Sequence, residues 1–224
     1  MAITGSSAVR RRLGAEPWAA LAAAGVVVYV ALDVLLAFLR PDLSLIHNAE
    51  SDYGVGSYSW VMDLNFLLRG ALTLSLVLAI SRRWRPSPRA RAGLALLAAW
   101  GVGSALLAFF PDNPPGTAVT ASGGVHLLLA ALAFLCALAG TIMLSVDLDY
   151  LRPLAPLRGW LLGVAVLAVV PLLALGRAGF RPSSPGGLLE RCFLALELLW
   201  ILIAALHLAR APDPSGTPGT TAAA

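Results

Sequence analysis

Lysine is absent from this 224-residue chain, and all 16 basic residues are arginine. Charged residues of both signs make up 12% of the sequence, about half the share in soluble domains. The net charge of +4 is too small, and its arginines too scattered between apolar blocks, for a nucleic-acid-binding surface. Cysteine is scarce as well. Cys136 and Cys192 fall at different depths along their segments, about 10 Å apart at 1.5 Å per residue, so a disulfide between them is not expected. Walker loop, GxSxG, dinucleotide fingerprint, HExxH and CxxC are all missing, which leaves no recognised catalytic motif and no metal-ligand spacing. Strand-like alternation is missing too, which removes a transmembrane β-barrel. No internal repeat of the kind found in many transporters is visible.

What remains is apolar sequence in long blocks: 58% of residues are hydrophobic and mean hydropathy is +0.81. A helix needs about 20 apolar residues to cross a ~30 Å hydrocarbon core, where backbone amides must be paired internally. Six segments qualify: 18–39, 60–81, 92–110, 124–145, 159–175 and 188–208. The expected fold is therefore all-α, an integral membrane bundle of six transmembrane helices over residues 18–210. Residues 1–17 form an N-terminal tail, and 211–224, rich in Pro, Gly and Thr, a disordered one. Eleven arginines fall on the side of the termini (residues 10–12, 82, 83, 85, 89, 91, 152, 158 and 210) and three on the other (Arg40, Arg177, Arg181). The positive-inside rule then places both termini in the cytoplasm and the chain in the cytoplasmic membrane. Trp18, Tyr53, Tyr58, Trp60, Trp84, Trp100 and Tyr150 fall mostly near segment ends, where aromatic belts form. Pro171 is the one helix break expected within a span.

Polar residues inside the spans are few and therefore informative. Asp33, Asp63, Asn65, Arg69, His126, Glu190, Arg191 and Glu197 all fall in the outer half by this topology, and the inner half is nearly pure hydrocarbon. Arg69 is expected to be neutralised by Asp33 or Asp63. The outward loops add His47, Asn48, Glu50, Ser51 and Asp52 before the second span and Asp112 after the third. His47, Asp52, Asp112, His126 and Glu190 are residue types that suit a metal site or acid–base work. No local spacing selects a metal among them, and the cofactor is left unknown.

The order of these residues resembles the prokaryotic membrane-protein family filed as domain of unknown function 998. The residues that carry it are Asn48-x-x-Ser51-Asp52-x-Gly54, Asn65-Phe66-x-x-x-Gly70, Phe110-Pro111-Asp112, His126, Gly187-Leu188-Leu189-Glu190-Arg191 and Trp200, spread over residues 18–210. The resemblance implies a multi-pass membrane protein in which Ser51, Asp52, Asp112, His126, Glu190 and Arg191 belong to one assembly. It brings no established activity. Asp63 departs from the family's usual uncharged residue.

Three functions stay open. The first is a site for a lipid or small amphiphile opening to the outer leaflet, with Ser51, Asn65, Arg69, Glu190 and Arg191 as ligand-binding residues. If it is an enzyme, it is an intramembrane hydrolase of a lipid-like substrate, with His126 as base and Asp112 or Asp52 as its partner. The second is a non-catalytic partner in a complex with another membrane protein. The third is a small proton-coupled transporter, against which the apolar inner half stands.

Overall fold

The computed structural model describes residues 16–84, 86–114, 116–181 and 183–211. Most of both tails, residues 1–15 and 212–224, lies outside them. Six long helices are present: α1 (Pro17–Leu39), α2 (Ser59–Arg83), α3 (Pro88–Leu107), α4 (Ala121–Val146), α5 (Arg158–Ala178) and α6 (Gly186–Arg210). Each is long and apolar enough to cross a membrane. No strand occurs among the described residues.

Local chemistry sets several boundaries. Proline opens α1 and α3, where a missing amide hydrogen costs nothing. The Ser87 hydroxyl accepts from the Ala90 amide at 3.1 Å, which starts α3 four residues before its apolar block. Thr120 does the same for α4 through Gly123 N at 3.1 Å. Pro171, expected as a break, is buried within an α5 that runs unbroken to Ala178. Neighbouring helices can satisfy what proline frees inside a bundle.

Helices consecutive in sequence pack side by side, α6 closes on α1, and α6 also reaches across to α2 and α4. The result is a ring with α6 leaning into its interior. One face of the bundle holds the first and last described residues, because Arg83 at the end of α2 pairs with Glu16 at 3.2 Å and donates to Ala211 O at 3.1 Å. We call this the terminal face and its opposite the loop face.

Lipid tails are as apolar as the side chains, so close packing and polar contacts must hold the helices together. Glycine supplies the closest approaches. A Cβ on Gly70 would stand 2.7 Å from Gly101 O, which marks the α2–α3 seam, and Gly93 meets Gly140 across α3–α4. Large apolar side chains such as Phe38, Leu173, Val170 and Trp160 point outward. Trp18, Tyr58 and Trp60 are exposed, as belt residues would be, but Tyr53, Trp84 and Trp100 are buried. Trp100 lies well inside α3, within the apolar core. The side chain of Tyr150 lies outside the described set.

The inner half, expected to be nearly pure hydrocarbon, carries some buried polar groups in the same interior. Thr141 and Ser145 on α4 and Trp200 on α6 are buried there, and Trp200 Nε1 donates to Ser145 Oγ at 2.8 Å. At the terminal face the Ser87 hydroxyl bonds the buried Asp147 carboxylate. Serine and threonine hide well in apolar sequence, because each spends its hydroxyl on a carbonyl one turn back. Thr141 donates to Ala137 O at 3.0 Å and Ser145 to Thr141 O at 2.6 Å.

Candidate functional site

A single turn organises the loop face. Between α1 and α2 the chain dips inward as a 3₁₀ turn, Glu50–Gly54, whose residues Glu50, Ser51 and Tyr53 are buried. Asp52 builds the turn: its Oδ2 accepts from Ala49 N at 3.0 Å and from Asn48 Nδ2 at 2.9 Å. Burial nevertheless pushes the Asp52 carboxyl above the usual carboxylate range, against the lowering effect of the Asn48 bond. The loop is also sewn to the start of α6. Leu188 N donates to Ile46 O at 3.0 Å, the His47 ring bonds Ser184 O at 2.7 Å, and Gly187 lies so close to Asn48 O that any side chain there would collide. On the other flank, Arg40 ends α1 by donating to Val55 O at 2.8 Å and pairing with Asp42. The guanidinium holds the Asp42 carboxyl below its ordinary range.

Three polar clusters hang from this turn. Glu50 enters the first. Its Oε2 accepts from Arg69 Nη1 at 3.0 Å, its Oε1 accepts from the Tyr29 hydroxyl, and Arg69 Nη1 also reaches Tyr29 Oη at 3.0 Å. Arg69 Nε donates to Ser104 Oγ at 3.1 Å, and Glu190 accepts from the Glu50 amide at 2.7 Å. Arg69 and Glu50 have side-chain exposures of 2% and 4%, so the pair is screened very little. The cation also lies over the Phe66 ring at 5.3 Å. The expected pairing of Arg69 with Asp33 or Asp63 is thus replaced. The loop carboxylate takes the position, because the turn carries it into the bundle. Asp63 is half-buried, and no hydrogen bond or ion pair is seen for it among the described residues.

Ser51 points into the second cluster, donating to Asp112 Oδ2 at 2.7 Å. His126 Nε2 faces the same oxygen at 3.8 Å, beyond hydrogen-bond range, while Nδ1 bonds Phe110 O at 2.7 Å. A carbonyl can only accept, so Nδ1 carries the proton, and Nε2 is buried without a protein hydrogen-bond partner. Serine and histidine both address the aspartate here. A nucleophilic triad instead needs the histidine between the other two. Asp52 stands apart from His126 in role, spent on its own turn.

Tyr53 belongs to the third cluster. Its ring lies 5.5 Å from the Arg191 guanidinium carbon. Arg191 Nη1 donates to Asn48 O at 2.8 Å and more weakly to Leu45 O and Gly187 O. The remaining guanidinium atoms Nε and Nη2, the Tyr53 hydroxyl and Asp33 Oδ1 are all buried without protein hydrogen-bond partners. The three side chains lie within electrostatic reach of one another. Asn65 is also buried, with neither amide atom paired. Orphaned buried polar atoms each cost roughly 1–3 kcal/mol, so such a concentration is unusual for a settled core.

The sequence-predicted residues thus separate. Arg69 and Glu190 join the closed network, Ser51, Asp112 and His126 form a second group, Arg191 serves a third, and Asn65 is left unpaired. Tyr29, Glu50, Tyr53 and Ser104 were not expected at any of these sites. Among the described residues, no group of three His, Cys, Asp or Glu side chains converges as metal ligands would.

Six apolar membrane-crossing helices around a buried polar loop face define the chain as a multi-pass membrane protein. It belongs to the family described as Protein of unknown function (DUF998), whose pattern matches residues 23–207. No curated protein and no solved structure matches the chain.

Proposed function

We propose that the loop face binds the polar head of a lipid or small amphiphile from the outer leaflet, between α1, α6 and the Glu50–Gly54 turn. The arginine distribution supports turning this face outward. The observation that carries the reading is the set of unsatisfied atoms around Arg191. Two guanidinium donors, a phenol and an acceptor, Asp33 Oδ1, are buried without protein hydrogen-bond partners on side chains within electrostatic reach of one another. A fitting head offers an acceptor or anionic group to Arg191 and Tyr53 and a hydroxyl or amine donor to Asp33. Asp33 and Arg191 lie about 8–10 Å below the loop-side ends of their helices, a depth where head groups give way to acyl chains. Exposed Val30, Val34 and Leu188 alongside suit the tail.

The Arg69–Glu50–Tyr29–Glu190 network supports this site rather than forming it, because its hydrogen bonds are made within the protein. Binding is favoured over serine-nucleophile hydrolysis because Ser51 is bonded to Asp112 and not to His126. Native mass spectrometry on protein purified in mild detergent tests the proposal, comparing wild type with Tyr53→Phe, which keeps the ring over Arg191. Wild type should carry an amphiphile, and the variant should bind it roughly five-fold more weakly, the loss of one hydrogen bond worth ~1 kcal/mol. No bound amphiphile, or equal occupancy in both, would overturn it.

A further inference from the structure

Beyond the loop face, one acidic side chain stands alone. Glu197 lies midway along α6, two turns or about 10 Å deeper than Glu190. It is 1% exposed, and both carboxyl oxygens are buried without a hydrogen-bond partner. An ionised carboxylate in such a place needs donors or a cation.

The surroundings supply neither. The side chain next to it is Thr141 of α4. Its one hydroxyl hydrogen is already committed to the carbonyls of Ala137 and Leu138, at 3.0 and 3.1 Å. With its hydrogen spent there, Thr141 makes no hydrogen bond to the carboxyl oxygens of Glu197. Trp200 spends its N–H on Ser145, and Trp100 Nε1 is itself unpaired, so it does not reach the carboxyl. The other titratable groups of the surrounding helices are engaged or distant. Tyr29 of α1 and Arg69 of α2 are held with Glu50 and Glu190 in the loop-face network. Asp33, Asp63 and Arg191 also lie toward that face. On α4, His126 faces Asp112, Asp147 bonds Ser87 at the far end, and Cys136 packs against the apolar core. The arginines of α3 and α5 lie near helix ends, away from the buried interior. An ionised Glu197 is thus left with neither a cation nor a bonded donor, and a proton on the carboxyl removes the buried charge.

The geometry points to Glu197 as a proton-binding site in the middle of the ring, with the neutral acid donating its O–H to Thr141 Oγ1. The bond formed is O–H on the carboxylate, and no other atom changes hands. A metal cation is a poorer fit, since calcium or magnesium takes six or more oxygens and no group of three His, Cys, Asp or Glu side chains converges among the described residues. The site is independent of the amphiphile proposal, because it shares no residue with the Arg191 cluster.

Infrared spectroscopy of the full-length protein in lipid at neutral pH, in H₂O and D₂O, tests this. Wild type should show the carbonyl band of a neutral carboxyl, deuterium-sensitive, that Glu197→Gln abolishes and Glu190→Gln leaves in place. If Glu197→Gln fails to fold, Thr141→Val serves instead, and the band should persist but move to higher frequency as its acceptor is removed. Spectra of wild type and Glu197→Gln that coincide, or a band unmoved in Thr141→Val, would overturn the assignment.

Discussion

Arg69 is the residue whose loss should hurt most. Removing it strands the Glu50 carboxylate under a buried turn, and breaking one partner of such a pair costs ~3–5 kcal/mol. Arg69→Met should therefore lower stability by that amount in reversible unfolding in mixed micelles. The double variant Arg69→Met/Glu50→Met should recover much of the loss, because the paired charges leave together. Additive losses would show that the two side chains act separately. Asp52 allows a test by pH. Burial raises its folded value above that of the unfolded chain, so the folded state holds the proton more tightly. Its stabilising contribution is complete below the unfolded value of ~3.9 and is lost as pH rises through the folded value. Asp52→Asn should remove that component from a profile of melting temperature against pH, and an unchanged profile would contradict it.

At the scale of elements, the seam between the first loop and α6 is held by backbone contacts that leave no room for a methyl group. Gly187→Ala would drive a Cβ into Asn48 O and should lift the turn from the bundle. Hydrogen exchange should then rise across residues 45–55 while α3 and α4 stay protected. Uniform exchange along the chain would instead indicate general unfolding. Gly70→Ala strikes the α2–α3 seam, and its expected effect is global destabilisation without selective loop release. The helices were legible in the sequence because a bilayer imposes one length and one composition on whatever crosses it. The partner of Arg69 was not. Glu50 sits in a twenty-residue loop with no periodicity to give its direction, and the turn that aims it depends on contacts to α6. Trp100 differs for another reason: an indole suggests a belt by residue type, but this one stands in the middle of its apolar block, at the depth of the core.

For the whole molecule, orientation is a prediction in its own right. In a background with Cys136 and Cys192 replaced by alanine, a cysteine at Arg152 should react with an impermeant maleimide only after the cytoplasmic side is opened. One at Thr117 should react in intact cells. The reverse pattern would turn the loop face inward and remove the outer leaflet as the ligand's source. Much of the candidate site could be anticipated at this scale, since the polar residues of the spans do gather largely at one end. Their division into a closed ion network, a serine–aspartate–histidine group and an unsatisfied arginine cluster could not be. That division depends on which way each residue of one short turn points, and adjacent residues in a tight turn point in different directions.

The central claim is that the unpaired atoms around Arg191 await a ligand, and a cryo-electron microscopy map of the protein in nanodiscs of native lipid would test it most directly. We predict density for an amphiphile head within hydrogen-bond distance of Arg191 Nη2, Tyr53 Oη and Asp33 Oδ1, with its tail along α1 and α6. A map in which Asp33 and Arg191 close directly on each other, with nothing between them and the turn, would contradict it.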